Sequence, residues 1–323
     1  MDVYSGLERF VPPARGIVLT IGNFDGVHRG HARIIETARQ LAARWSAAVA
    51  AMTFEPHPLA VLAPERAPAV LTTAAEKLAL LAQAGVELCI VLRSEPALLA
   101  QQAEDFLASL VAHCRPRALV EGPDFNFGRG RAGSTETLAR NASRWGYEPH
   151  VVETVRCTEL PTAPTIKSSS IRQALLEGRV AEANAMLGRP YRIVGTVDGG
   201  EGRGATLGFP TANLTGIVHL LPQEAVYAAV AQLDDGRLHL AAVNIGPQPT
   251  FAQSRSRVEA HLLDYGGSLQ GRRLGLHLLA RLRGQVRFAG PEALVAQLRR
   301  DVEATRRLSE NLSQLTDNPP IAV

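Results

Sequence analysis

Short apolar runs and helically spaced segments alternate along the first half of the chain. Residues Ile17–Ile21 are apolar at four of five positions and β-branched at four, the texture of a strand buried on both faces. In the segment 32–45 that follows, Ile34, Ile35, Ala38, Leu41 and Ala42 recur at helical spacing. The same alternation continues with a strand at 47–54, a helix at 74–84 closed by Gly85, a strand at 87–92 and a helix at 103–113. It ends with a strand at 117–121, a helix at 134–145 that stops at Gly146, and a strand at 150–155. Such a pattern predicts a parallel sheet with helices on both faces, with the ligand site beyond the carboxyl ends of the strands. After Pro190 the texture changes. Runs at 192–197, 226–233, 238–245, 258–263 and 274–282 read as strands, and Asp234-Asp235-Gly236 is a hairpin signal. The pattern predicts a small antiparallel barrel closed by an amphipathic helix at 291–308, with Leu294, Leu298 and Val302 on one stripe. A domain boundary falls near 187–191, giving domains 1–187 and 188–315 and a tail, 316–323, expected to fray.

Three loops follow strands of the predicted sheet, and their residues carry chemistry. The first, Gly22-Asn23-Phe24-Asp25-Gly26-Val27-His28-Arg29-Gly30-His31, joins a strand to a helix start, where unpaired N–H groups and the helix dipole favour an anion. His28 and His31, three apart, lie on the same side of a first turn, and Gly30 between them removes a side chain that would hold a phosphate or base away. Three readings stand for the pair: zinc, with Asp25 or His57 as third ligand, metal-free stabilisation of a transferring phosphoryl or nucleotidyl group, or an incidental HxxH with no chemical role. In the third loop, 122–131, Asp124 suits a ribose or an amine, and Phe125 and Phe127 either wall a flat ring or belong to the core. Further on, Ser168, Ser169 and Arg172 at a helix start form a second anion cradle.

In the barrel half, Gly199, Gly202, Gly204 and Gly208 allow backbone N–H groups to turn toward phosphates, with Thr206 and Pro210 in the same stretch. Thr211 and Asn213, two apart in extended chain, point the same way and offer hard oxygens to Mg²⁺. Glu259 stands in the alternating run Val258-Glu259-Ala260-His261-Leu262. It is either an inward-facing base toward a substrate hydroxyl or an outward, solvated carboxylate.

Composition narrows the class without changing this picture. At 323 residues the chain is long enough for two cores, and a formal charge of +3 gives no reason to expect nucleic acid or a membrane surface. Three scattered cysteines without CxxC spacing argue against a disulfide framework or a structural zinc site. No signal peptide and no membrane-spanning run is evident, so a reducing, cytoplasmic setting is expected.

These motifs, in this order, resemble the bacterial bifunctional riboflavin kinase/FMN adenylyltransferases, the FAD synthetases, along nearly the whole chain. The matching pieces are the loop 22–31, Thr53-Phe54-Glu55-Pro56-His57-Pro58, Asp124-Phe125-Asn126-Phe127-Gly128 and Ser168-Ser169-Ser170-Ile171-Arg172. In the second half they are Gly208-Phe209-Pro210-Thr211-Ala212-Asn213, residues 243–251 and residues 258–264. The resemblance implies a Rossmann-like nucleotidyltransferase domain with an HxGH motif, followed by a β-barrel riboflavin kinase domain. It implies ATP-dependent phosphorylation of riboflavin to FMN and ADP, then adenylylation of FMN by ATP to FAD and pyrophosphate. Mg²⁺ would accompany ATP, and zinc is not expected. His28 and His31 would stabilise charge in the second reaction, with Gly22, Asn23, Phe24, Asp25, Gly26, Gly30, Phe54, His57, Asp124, Phe125, Phe127, Ser168, Ser169 and Arg172 binding nucleotide or flavin. Thr211 and Asn213 would hold metal and phosphates in the first reaction, and Glu259 would take the proton from the ribityl hydroxyl.

Four departures are visible. Aligned on Ile171-Arg172, Lys167 replaces the family's first serine and Ser170 an arginine. A phosphate contact transferred to Lys167 would accommodate this. Ala225 and Leu269-Gln270-Gly271 replace a glycine and a Leu-Tyr-Gly.

Overall fold

The computed structural model describes residues 1–199, 207–246 and 257–308. The expected contributions of Gly202, Gly204 and Thr206, residues 247–251 of the barrel motif and the tail 316–323 lie outside the described residues. Two compact units emerge. One is Met1–Thr158 with Ala163–Lys167, the other Glu159–Thr162 with Ser168 onward.

In the first unit the elements are β1 (Asp2–Ser5), β2 (Ile17–Ile21), α1 (Arg29–Trp45), β3 (Ala48–Glu55), α2 (Pro58–Leu62), α3 (Ala74–Gln83), β4 (Leu88–Arg93), α4 (Pro96–Leu99) and α5 (Ala103–Cys114). They continue with β5 (Pro116–Glu121), the short pair β6 (Asn126–Phe127) and β7 (Gly133–Ser134), α6 (Thr135–Trp145) and β8 (Glu148–Val151). Six strands form one sheet in the order β1-β4-β3-β2-β5-β8, every pair parallel. Period-two alternation sends Ile17, Leu19, Ile21, Ala48, Ala50, Met52 and Ile90 to one face, where Phe106, Leu107 and Leu110 of α5 and Leu138 of α6 cover them. Helix α1 lies on β2, β3 and β5 and buries Ile35, Ala38, Leu41 and Ala42 against the other face.

From β2 the chain moves to β3 and β4 on one side, then crosses to β5 on the other. The strand order therefore reverses between β2 and β5, and a crevice opens beyond their carboxyl ends. The first and third predicted loops, after β2 and after β5, flank that crevice. Two sequence readings need correction. The last strand is Glu148–Val151 rather than 150–155, and β1 was not anticipated. Three of the four β1 residues are exposed, and the strand is held to β4 by backbone pairing, which leaves no hydrophobic period to read.

The second unit begins with α7 (Ser168–Leu176) and α8 (Val180–Leu187). The sequence placed these helices with the sheet domain, but their packing is with the barrel. Asn184 donates to the carbonyls of Leu278 and Leu279 at 2.8 and 3.2 Å and accepts the N–H of Tyr191 at 2.7 Å. The barrel strands are β9 (Tyr191–Asp198), β10 (Ala212–Thr215), β11 (Ala225–Leu233), β12 (Leu238–Gly246), β13 (Arg257–Leu262) and β14 (Arg273–Arg283), followed by α9 (Pro291–Arg306). They close in the order β10-β13-β12-β11-β14-β9, every pair antiparallel. All nine residues of β11 are buried because the barrel interior covers one face and α9 covers part of the other.

Candidate active sites

The crevice of the first unit is built around two histidines that cap their own helix. His28 is the N-cap of α1 and His31 its third residue, so the helix begins earlier than the apolar periodicity from 32 onward indicated. The N–H of His31 donates to His28 Nδ1 and the N–H of His28 donates to His31 Nδ1, both at 3.3 Å. This is a capping box with imidazoles in place of the usual hydroxyl and carboxylate. The rings stack with centroids 3.6 Å apart and planes 13° from parallel. Since each Nδ1 accepts, the neutral rings carry their protons on Nε2, on the edge away from the helix backbone. Gly30 serves this packing as well as any ligand. A Cβ there would lie 3.0 Å from the His28 ring and 3.2 Å from the Ile166 carbonyl.

The loop before the helix is held in a strained form. Phe24 and Val27 have φ of 49° and 34°, in the left-handed region, where each non-glycine residue costs about 1–3 kcal/mol. Asp25 is the fastening. Its carboxylate accepts the Leu71 N–H (3.1 Å), the Thr72 N–H (3.0 Å) and the Thr72 hydroxyl (3.1 Å), and that hydroxyl accepts the Gly26 N–H at 3.0 Å. Asp25 thus holds the loop in shape. Phe24 is buried, with its ring edge-on to His31 at 5.2 Å. His57 caps α2, accepting the Leu59 N–H at 3.1 Å, while its Nε2 lies 3.1 Å from Asn23 Nδ2. The loops after β2 and β3 therefore meet, as the parallel sheet requires. Gly22 adjoins the Phe24 ring, and Phe54 packs partly buried on the core.

On the β5 side the two phenylalanines divide. Phe127 belongs to the core, stacked on the half-buried Phe125 at 5.4 Å, so only Phe125 remains as a wall for a ring. Asp124 is exposed and ion-paired with Lys167, so the lysine that departs from the family pattern sits in the same loop cluster. Among the described residues no three His, Cys, Asp or Glu side chains gather as a metal site. Ser168, Ser169 and Arg172 fall on the first turn of α7, in the second unit.

Sequence reasoning missed Glu121, the last residue of β5, which is buried at the floor of the β2–β5 crevice and accepts the Ile21 N–H at 2.7 Å. Burial drives its carboxyl well above the ordinary 4.5, against the opposing pull of that N–H. A raised folded value means that the native chain keeps a proton the unfolded chain loses above 4.5. Stability therefore falls as pH rises, by about 1.4 kcal/mol per pH unit between the unfolded and folded values. Glu121→Gln keeps the acceptor oxygen without that proton linkage. Thermal unfolding should show the variant more stable than the native chain at pH 8, with the difference narrowing toward pH 4.5.

The second site lies on the outer face of the barrel, where it meets α9. Cross-strand register sets Asn213 of β10 opposite Glu259 of β13, and Glu259 opposite Asn244 of β12. The row continues through Val226 of β11 to Arg283 of β14. Val258, Ala260 and Leu262 alternate with Glu259 and His261 and are buried. Glu259 therefore points away from the barrel core, opposite to the inward reading, yet it is not simply solvated. It lines a cavity of about 360 Å³ with Thr211, Asn213, Asn244, Phe209 and Leu298. That volume suits a small molecule with one apolar ring system and a few polar groups. His261 fixes the rim, its Nδ1 2.8 Å from the Pro210 carbonyl and its ring edge-on to Phe209 at 5.4 Å. Helix α9 is clasped over the cavity by Arg283, whose guanidinium donates to both oxygens of the buried Asp301 at 2.8–3.1 Å. Gln285 donates to the Asn244 side chain at 2.9 Å and orients it. Gly208 has φ of 81°, a left-handed turn entering Pro210-Thr211, and Gly199 lies beside the Gln270 amide.

A family model described as FAD synthetase matches residues 11–165, and one described as riboflavin kinase matches 187–309. A curated relative from Escherichia coli (strain K12), a bifunctional riboflavin kinase/FMN adenylyltransferase, is 39% identical over 297 residues, 91% of this chain and 93% of its own length. One of the same name from Bacillus subtilis (strain 168) is 32% identical over 300 residues, 91% of this chain and 93% of its own. Among solved structures, a chain from Streptococcus pneumoniae described as a macrolide-efflux protein matches with a TM-score of 0.84 and 27% identity, covering 95% of this chain and 99% of that one. Among the described residues of the present chain no helix is long and apolar enough to cross a membrane.

Proposed function

This chain belongs to the bifunctional riboflavin kinase/FMN adenylyltransferase family, and on that premise we propose how its residues divide the two reactions. It phosphorylates riboflavin with ATP to FMN, then adenylylates FMN with a second ATP to FAD. The barrel cavity carries the first reaction and the sheet crevice the second. What supports the division is that each unit presents its own set of chemical groups: a carboxylate among hydroxyl and amide oxygens in one, paired imidazoles at a helix start in the other.

In the kinase step the ribityl hydroxyl oxygen attacks the γ-phosphorus of ATP, the bond to the β-phosphate oxygen breaks, and ADP leaves. Glu259 takes the hydroxyl proton as the new bond forms. The apolar side of the cavity, Phe209, Phe288, Leu294 and Leu298, holds the flavin ring and keeps water from competing. Thr211 and Asn213 line the same cavity as Glu259 and offer neutral hard oxygens, a donor set that fits Mg²⁺ carried on nucleotide phosphates. When bound there, Mg²⁺ supplies charge neutralisation on the phosphoryl oxygens.

In the adenylyl step an oxygen of the FMN phosphate attacks the α-phosphorus of ATP and pyrophosphate departs, with no covalent enzyme intermediate. The Nε2–H groups of His28 and His31, fixed by the reciprocal caps, donate to oxygens gaining charge at the α-phosphorus and on the leaving group. The α1 N-terminus adds its dipole at the same point. Asp25 holds the loop, and Asn23 with His57 borders the nucleotide. Catalysis is positioning plus electrostatics, as in phosphoryl transfer generally.

Incubating the full chain with riboflavin, Mg²⁺ and ATP, and following products by chromatography, tests this reading. FMN should appear first and FAD after it. FMN alone would remove the crevice from the scheme, and no turnover would remove both assignments.

A further inference from the structure

We propose that Asp198 is a further residue of the kinase site, a carboxylate that joins Thr211 and Asn213 in holding the divalent cation of the bound nucleotide. The proposal rests on the reading of Thr211 and Asn213 given above.

The observation behind it is register. Asn213 of β10 is flanked on one side by Glu259 of β13 and on the other by Asp198 of β9. Directly paired residues of antiparallel strands project to the same face, with Cβ atoms about 4.5–5.5 Å apart. Val197, the neighbour of Asp198, is buried, as are Ala212 and Leu214 beside Asn213, whereas Asp198 is exposed. Both strands thus turn these polar residues away from the barrel core. Asp198 also lines a second cavity of about 280 Å³, with Thr211, Tyr265, Gly266, Gly267 and Gln270. Thr211 lines both this cavity and the larger one that contains Glu259. Thr211 of the proposed metal-binding pair therefore stands where the two cavities adjoin, with Asn213 in the larger one, and Asp198 is the acidic residue lining the second.

Charge explains why such a residue is needed. A hydroxyl and an amide give a hard dication fitting oxygens but no charge, and such an ion commonly takes one or two carboxylates besides phosphate and water. Glu259 is a poor choice for that duty, because a cation on its carboxylate would lower its affinity for the proton it must accept. A carboxylate on the opposite flank of Asn213 separates the two duties. One Asp198 oxygen accepts the Gly199 N–H at 2.7 Å, which restrains the side chain at the start of the glycine-rich segment.

The test reads metal binding directly. Free Mn²⁺ is measured by electron paramagnetic resonance as it titrates the full chain with ADP, and Asn213→Ala identifies which class of Mn²⁺ sites belongs to the barrel. Asp198→Asn should weaken that class about tenfold or more, Asp198→Glu should restore part of the affinity, and FMN adenylylation by the same preparations should be unchanged. If Asn213→Ala removes a class of sites and Asp198→Asn leaves it at native affinity, the proposal about Asp198 is overturned. If Asn213→Ala removes none, the underlying assignment of Thr211 and Asn213 fails instead, and Asp198 with it.

Discussion

Replacing both His28 and His31 with alanine should leave riboflavin phosphorylation running and stop the chain at FMN. The two imidazoles are the donors placed at the start of α1, and loss of one preorganised donor to a developing oxyanion costs about 10²–10³ in rate. The double variant should lose at least that much in FAD formation from FMN and ATP, read by chromatography. Alanine also deletes the caps, at about 1 kcal/mol for a lost N-cap. His28→Asn separates the two effects, because its amide oxygen can still cap the helix but presents no Nε2–H. If His28→Asn formed FAD at the native rate, the cap would be the whole function of His28 and the electrostatic assignment would be wrong.

The complementary variant is Glu259→Gln. It preserves shape and hydrogen-bonding capacity in the 360 Å³ cavity and removes the base. General-base catalysis contributes about 10²–10⁴, so riboflavin phosphorylation should fall by that factor with little change in the KM for riboflavin. Adenylylation of FMN supplied directly should proceed at the native rate. A drop in both reactions from a folded variant would contradict the division of labour between the two units. So would a kinase rate that is unaffected.

Part of this was legible from local pattern because the physics involved is local. A strand such as Ile17–Ile21, buried on both sides, must be continuously apolar, and an amphipathic helix such as α1 must repeat its apolar face every turn. Parallel connectivity then required the loops after β2, β3 and β5 to share one rim, and the approach of Asn23 to His57 meets that requirement. The Thr211-to-Asn213 spacing in extended chain put two oxygens on one side for the same reason. What local pattern left hidden is set by partners remote in sequence. Nothing local shows that Leu71 and Thr72, 46 and 47 residues away, come within hydrogen-bond reach of Asp25, or that the Phe24 ring is covered. Phe127 looked equivalent to Phe125 until α5 was seen beside it. Helices α7 and α8 read as the end of the first domain, yet Asn184 of α8 bonds to β9 and β14, and α7 packs on α8.

The sequence by itself determined most element types and the order of a sheet unit followed by a barrel unit. Periodicity, turn residues and functional groups are properties of neighbouring positions. The tertiary structure alone decided three things. The histidines cap one another through Nδ1 and so hold their protons on Nε2. Burial of Glu121 at the end of β5 pushes its carboxyl above the ordinary carboxylate range. Glu259 faces outward from the barrel into the cavity that α9 covers, in register with Asn213 and Asp198 beyond it. Burial and register depend on groups brought together from distant parts of the chain, and the tautomer on a helix start that the apolar pattern did not place at His28.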